Sequence, residues 1–297
     1  MSEKDVLHRF IFDKLPVRGE FIQLQESYQA IIKQHNYPEP LRQLLGEALC
    51  VAALLSAVIK FDGRLTVQFR GKGALKLLLA QCNNDFHLRA LAKWEGDLTY
   101  QDLMQSFEEG VLVIMLDSGP QKTRYQGIVA WEGNSLTKSI EGYFRDSEQL
   151  ATKLWISVTD ESAAGLMLQI VPTETKLAGI DEDVIKPHWM HINQLTEKLN
   201  TDDLHHTHYE TILRNLYPEE DIRVFDPVNV MFNCTCNRKK CQDAILIIGK
   251  DEADAELENK QSIVVTCDFC NKEYIFDRVD VAKIFENNHP PKDDLIH

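Results

Sequence analysis

The most legible chemistry in this 297-residue chain is that of sulfur. Five of its seven cysteines lie between Cys234 and Cys270. Cys234-Thr235-Cys236 is followed, after thirty intervening residues, by Cys267-Asp268-Phe269-Cys270. Two close pairs joined by a long loop are how a chain supplies four thiolates to one tetrahedral zinc ion. Bonds of about 2.3 Å need four sulfurs converging on one point, and a pair two or three residues apart does this across a tight turn. The spacing predicts a zinc centre with Cys234, Cys236, Cys267 and Cys270 as ligands and one ion per chain. Cys241 reads as a spare thiol, because four-coordinate zinc is already satisfied. Cys50 and Cys82 sit in apolar runs and read as inert core thiols.

The Cys-x-Cys pair is shorter than the Cys-x-x-Cys that structural zinc modules mostly use. It places two thiols where oxidation can join them. Zinc keeps thiols deprotonated, and the thiolate is the form that reacts with peroxide. Oxidation removes ligands, and lost ligands release the metal. Metal binding supplies on the order of 10 kcal/mol to folding in so small a region, so oxidation becomes unfolding. The residues alone point to a redox switch. They do not say what is switched.

The elements that must position this site fall into three regions. Residues 1–178 read as a mixed α+β domain. Gly19–Leu24, Leu65–Phe69, Leu75–Gln81, Phe86–Lys93, Val111–Leu116, Tyr125–Trp131, Leu154–Val158 and Gly165–Val171 have strand character. Glu26–His35, Pro40–Lys60 and Ser135–Phe144 have helical spacing, the last with Ser135 as its cap. Gly71-Lys72-Gly73 and Gly119-Pro120 read as turns, and Pro172 and Gly179 close the region. Adjacent strands with few helices between them favour α+β over alternating βαβ units.

Residues 179–229 differ in texture and read as a metastable helical linker. From Asp181 to Asn229 there are eleven acids and four bases. Trp189, Ile192, Leu195, Leu199, Leu204, Ile212, Leu213 and Leu216 recur at broken helical spacing, with Pro187, Pro218 and Pro227 as interruptions. Two or three short helices with a weak apolar stripe are expected, burying little per residue. Residues 230–297 read as a small zinc-binding redox-switch domain. Asn237 caps a helix to Ile248 that Gly249 ends. Strands at Ser262–Val265 and Glu273–Phe276 flank Cys267 and Cys270. Asp277 caps a last helix through Phe285, stopped by Pro290-Pro291.

Charge and targeting narrow the classes. Thirty-two Lys and Arg against 46 Asp and Glu leave a net charge of −14. Phosphate backbones and anionic lipids repel such a chain, which argues against nucleic-acid or membrane partners. The N-terminus lacks the apolar run of a signal peptide. The longest apolar stretch, Ala48–Ile59, is short of the ~20 residues needed to span a bilayer and reads as a buried core helix. A cytoplasmic location follows as the expectation, and clustered thiols there read as metal ligands or redox groups.

Several segments resemble one family. The CTC of Cys234–Cys236 with NRKKC to Cys241, and TCDFCNKEYIFD from Thr266 to Asp277, are similar to the zinc centre of the bacterial redox-regulated heat-shock holdases of thirty-three kilodaltons. VRGEFIQL from Val17, GKGALKLLLAQC from Gly71, RYQGIVAWEG from Arg124 and YFRDSEQLATKLWI from Tyr143 resemble other segments of that family. The resemblance covers nearly the whole chain. It implies a non-enzymatic, ATP-independent chaperone, inactive when reduced and zinc-bound. It also implies that oxidants form disulfides Cys234–Cys236 and Cys267–Cys270, release zinc and unfold the linker. The oxidised protein would then hold unfolding clients, often as a homodimer. No Walker-type phosphate loop is present, in keeping with ATP independence. Trp189, Leu195, Leu199, Ile212, Leu213 and Leu216 are the expected client contacts, together with sheet surface uncovered when the linker opens.

Two rival classes have their own markers. A zinc-ribbon nucleic-acid protein would use Arg238, Lys239 and Lys240, although residues 230–297 hold nine bases against thirteen acids. A thiol-disulfide oxidoreductase would use Cys267 and Cys270, but its usual setting is a Cys-x-x-Cys at a helix start. His205, His206 and His208 beside Asp202 and Asp203 form a possible second metal cluster that reads better as a solvated loop. No Ser-His-Asp arrangement is recognisable.

Overall fold

The computed structural model describes residues 4–108, 110–118, 125–133, 135–171 and 182–286. The Gly119-Pro120 turn, the Pro172 to Gly179 boundary and the Pro290-Pro291 stop lie outside them. The chain forms two compact units, Met1–Asn233 and Cys234–His297.

Two sheets and one central helix build the first unit. Strands β1 (Val6–Phe12), β2 (Val17–Leu24), β8 (Thr152–Val158), β9 (Ala163–Ile170), β10 (Ile222–Val224) and β11 (Val228–Asn229) form the first sheet, in the order β10-β1-β2-β9-β8 with β11 also on β1. Strands β3 (Arg64–Arg70), β4 (Leu75–Asn83), β5 (His87–Trp94), β6 (Val111–Asp117), β7 (Tyr125–Val129) and β12 (Met231–Phe232) form the second, in the order β12-β5-β4-β3-β6-β7. Pairing is antiparallel except between β12 and β5. Helix α1 (Glu26–Ile32) precedes α2 (Glu39–Val58), whose Pro40 sits in the first turn, where its missing N–H costs no helical bond.

Helix α2 packs against strands of both sheets. Its Leu45, Ala48, Leu49, Ala52 and Leu55 join Leu7, Ile22 and Met167 of the first sheet and Leu65, Val67 and Leu78 of the second in one core. An all-round apolar helix is what two facing sheets require. At twenty residues α2 is long and apolar enough to cross a membrane, yet 72% of its apolar stretch is buried in the unit. That burial identifies it as the core helix the sequence predicted. Helices α3 (Tyr100–Glu108) and α4 (Leu136–Tyr143), and a π-helical turn at Phe144–Glu148, complete this layer. The Ser135 side chain caps α4 by accepting from the Lys138 N–H at 3.4 Å.

The first sheet is buried on its other face too. Alternate residues Phe10, Phe12, Val17, Phe21, Ala164, Leu166 and Leu168 point away from α2. Gly19 permits this packing: a Cβ there would lie 2.0 Å from the Phe10 ring. Three helices cover that face, α5 (Glu182–Thr196), α6 (Asp203–His206) and α7 (Tyr209–Leu216). The acidic, helical texture expected of a separate region thus belongs to the first compact unit. Ile192, Leu204, Ile212, Leu213 and Leu216 are buried there, with Trp189, Leu195 and Leu199 half-buried at the margins. Pro187 lies inside α5 rather than interrupting it. Its missing N–H leaves one helical carbonyl without its usual donor.

The second unit is small. Helices α8 (Arg238–Ile248), α9 (Lys250–Asn259) and α10 (Arg278–Glu286) pack on a hairpin of β13 (Ser262–Thr266) and β14 (Glu273–Asp277). Cys241, Ile245, Leu257, Ile263, Tyr274, Phe276, Val281 and Ile284 form its core. Asn237 caps α8 by accepting from the Lys240 N–H at 2.9 Å, and Gly249 ends the helix at φ +97°. Asp277 caps α10 by accepting from the Asp280 N–H at 2.7 Å.

Candidate metal centre

The hairpin and the start of α8 deliver the four predicted cysteines to one place. Cys267 ends the turn side of β13. Its N–H donates to the Lys272 carbonyl at 3.0 Å, and the Asn271 N–H donates to the Cys267 carbonyl at 2.8 Å. Asn271 adopts the left-handed conformation, φ +51°, that asparagine tolerates better than most residues. This tight turn puts Cys267 and Cys270 on one side. Cys234 and Cys236 precede the capped first turn of α8, where Lys240 Nζ donates to the Thr235 carbonyl at 2.7 Å and holds the segment between them.

The four sulfurs all lie within 4.8 Å of one another. Cys234 Sγ is 3.6 Å from Cys267 Sγ, and Cys236 Sγ is 3.5 Å from Cys270 Sγ. Four sulfurs about 2.3 Å from a central zinc ion would sit about 3.8 Å apart, so these separations fit a tetrahedral site. The cluster is positioned for zinc binding. Cys241 lies outside it, buried in the core of the unit.

Electrostatics point the same way. Burial pushes the Cys236 thiol up, but hydrogen bonding to Tyr274 and to the other three cysteines outweighs it and brings the thiol down to about 7. Burial pushes Cys234 and Cys270 up. Without a cation, negative charge is therefore favoured on Cys236 over Cys234 and Cys270. Four thiolates this close repel strongly, and a divalent cation offsets that repulsion.

Two supporting residues carry no cysteine signal. Tyr274 Oη is 3.3 Å from Cys236 Sγ. Arg238 donates to the Ile275 carbonyl at 2.9 Å and to Asp280 Oδ2 at 2.7 Å, with its guanidinium 4.2 Å from the Phe276 ring centroid. Nothing in the cysteine spacing marked Tyr274 as a sulfur partner. Arg238 was weighed for nucleic acid, yet it clamps α8 to β14 and α10. Lys239 pairs with Asp243 at 3.0 Å, and Lys240 holds Thr235. The basic run is engaged within its own unit.

The histidine cluster is solvated only in part: Asp202, Asp203 and His206 are exposed and His208 is half-buried, but His205 turns inward. His205 is buried in the first unit, with Nδ1 2.7 Å from Ser162 Oγ and its carbonyl accepting from Gln23 Nε2. His205 docks because Leu204 beside it must reach the sheet core. The histidines are not among the groups able to hold a metal in the described residues. Cys50 and Cys82 are fully buried, as expected, and burial pushes Cys82 up to about 12.

The Hsp33 protein family model matches residues 5–277. The chain belongs to the Hsp33 family. It is 39% identical over 289 residues to the 33 kDa chaperonin of Pseudomonas aeruginosa strain UCBPP-PA14, covering 96% of both chains. It is 39% identical over 290 residues to the 33 kDa chaperonin of Shewanella woodyi, covering 97% of this chain and 98% of that one. The crystal structure of the Hsp33 homologue of Thermotoga maritima matches with a TM-score of 0.79, covering 95% of this chain and 98% of the other. At 20% identity that likeness is one of fold. The chain is therefore a chaperone by family, and membership implies binding of unfolded client proteins.

Proposed function

We propose that this chain is a redox-regulated, ATP-independent holdase that acts by binding alone. In the reduced form, Cys234, Cys236, Cys267 and Cys270 hold one zinc ion, which supplies charge neutralisation and cross-linking to the second unit. Residues 182–216 stay folded and the chaperone is inactive. Peroxide or hypochlorite then oxidises the thiols. Each pair of thiolates gives up two electrons as its disulfide forms, and with two protons from solvent each peroxide becomes two waters, or each hypochlorite becomes chloride and one water. The pairing carried by the family resemblance is Cys234–Cys236 and Cys267–Cys270. Zinc, left without ligands, departs.

One observation carries the reading. Helices α5 to α7 bury an apolar stripe against the outer face of the first sheet. Undocking them uncovers two apolar surfaces together: Trp189, Leu195, Leu199, Ile212, Leu213 and Leu216 on the helices, and Phe10, Phe12, Phe21 and Leu166 on the sheet. The eleven acids between Asp181 and Asn229 keep the opened segment soluble. The chain runs from α7 through β10, β11 and β12 directly into Cys234, so the segment that opens is tethered to the one that loses its metal. The oxidised form works as a homodimer in the cytoplasm, without nucleic-acid or membrane partners.

The test measures metal and client together. Reduced protein is assayed for zinc per chain, oxidised with peroxide under mild heat, and mixed with an aggregating denatured client. Zinc release with suppression of aggregation is expected. Retained zinc, or release without suppression, would sink the reading. Peptide mapping of the oxidised protein checks the pairing, and Cys234–Cys267 or Cys236–Cys270 links would overturn it.

A further inference from the structure

The two sheets of the first unit leave a gap where α2 stops. The helix ends at Val58, and Ile59 leaves it in an extended conformation. Beyond lies a cavity of about 780 Å³. Sites for small molecules typically measure about 300–1,000 Å³. Its walls are mostly apolar, with Ile59 after α2, Ile114 and Leu116 from β6, and Phe144 and Leu150 around the π-helical turn. Tyr125, Tyr143 and Glu148 also line it, but they satisfy one another: both hydroxyls donate to Glu148 Oε1, at 2.7 and 2.6 Å.

The polar contribution of the first sheet is different. Arg18 of β2 lines the cavity, and Lys60 stands exposed at it. Gln169, fully buried on neighbouring β9, accepts from Arg18 Nη2 and donates to Thr152 Oγ1 at 2.7 Å. That chain of bonds fixes the guanidinium. It leaves Arg18 Nε buried, with no hydrogen-bond partner among the described residues. A buried donor without an acceptor is costly, and a charged donor on an apolar wall is best met by an anion. Glu20, the acid nearest Arg18 along the strand, is fully buried, and burial pushes its carboxyl up to about 8. At neutral pH it supplies little of the missing negative charge.

We propose that this cavity binds a single-chain amphiphilic carboxylate, a fatty-acid anion, with its head on Arg18 and its alkyl chain along Ile59, Leu116 and Leu150. Apolar walls with one oriented cation match that class of ligand and no polar metabolite. The site is separate from the cysteine cluster and from the face covered by α5 to α7, so it does not rest on the redox reading.

Isothermal titration of the reduced, metal-loaded full chain with decanoate below its micelle concentration tests this. Saturable binding of one decanoate per chain is expected. Decanol and decyltrimethylammonium should bind at least about tenfold more weakly, the effect of one charge-assisted hydrogen bond. Arg18→Gln should lose a similar factor. Leu116→Trp fills the cavity while leaving Arg18 in place, and it should abolish binding at unchanged metal content. It also keeps the test decisive if Arg18→Gln fails to fold. Absent saturation by decanoate, equal binding of the three amphiphiles, or undiminished binding by Leu116→Trp each overturns the proposal. Binding to phosphatidylglycerol vesicles with none to free decanoate overturns it as well, because recognition would then lie at a lipid surface.

Discussion

Ser162 Oγ lies 2.7 Å from His205 Nδ1, joining the turn between β8 and β9 to a helix 43 residues further along the chain. The imidazole is held below its ordinary value by burial first and by His206 second, against a smaller upward pull from Asp202. A base that resists protonation when docked takes up its proton more readily when undocked. Docking of α6 is therefore strongest above about pH 6.5 and weakens as the pH falls below it. Proteolysis within residues 182–216 of the reduced, metal-loaded protein should be faster near pH 5.5 than near pH 7.5, and His205→Gln should flatten that dependence. Glu20 and Glu47, pushed up to about 8 and about 7 by burial, act with the opposite sign. A slope unchanged in His205→Gln would place the effect elsewhere. Ser162→Ala, which strands a buried ring nitrogen, should cost about 1–3 kcal/mol of local stability by hydrogen exchange.

Arg238 should matter to the second unit out of proportion to its exposure. Arg238→Ala removes a bond to the Ile275 carbonyl, an ion pair with Asp280 and a ring contact with Phe276. A loss of about 1–3 kcal/mol is expected, with faster transfer of metal to a chromogenic chelator. Arg238→Lys should recover little, because an ammonium cannot serve the carbonyl, the carboxylate and the ring together. Full recovery by lysine would show that charge alone matters there.

Metal removal should unfold the second unit while sparing the first. Its core is small, and structural zinc contributes on the order of 10 kcal/mol in comparable modules. Chelation should erase the amide dispersion of residues 234–286 in NMR spectra and leave that of the two sheets. Cys267→Ser should weaken zinc affinity and raise proteolysis of residues 182–216 without oxidant. A variant as tight and as resistant as the parent would disprove the ligand assignment.

Ile212→Ala should loosen α7 through its packing alone. Ile212 is buried between α7 and the first sheet, and such truncations cost about 2–5 kcal/mol. Partial suppression of client aggregation by the reduced, zinc-loaded variant is the expected readout. A variant that loses stability in melting curves yet gains no activity would separate α7 docking from client binding.

What the residues could reveal tracked how local each signal was. The cluster of four cysteines was legible because each short pair brings its own two sulfurs together locally, Cys234 and Cys236 before α8 and Cys267 and Cys270 at the hairpin turn. Ser135, Asn237 and Asp277 were legible as caps for the same reason, since each bonds a backbone N–H three residues on. The strand β1 was missed, although it carries β2 on one side and both β10 and β11 on the other. So was α3, and α9 was hidden because only Ala253 and Leu257 of its ten residues are buried. The stripe from Trp189 to Leu216 was visible as an apolar periodicity, but periodicity names a face and not its partner. Only the tertiary structure decided that the stripe lies on Phe10, Phe21 and Leu166, that His205 goes inside with it, and that Tyr274 and Arg238 brace the sulfurs. Those choices depend on burial and on contacts between residues far apart in the chain, which no spacing along the sequence encodes.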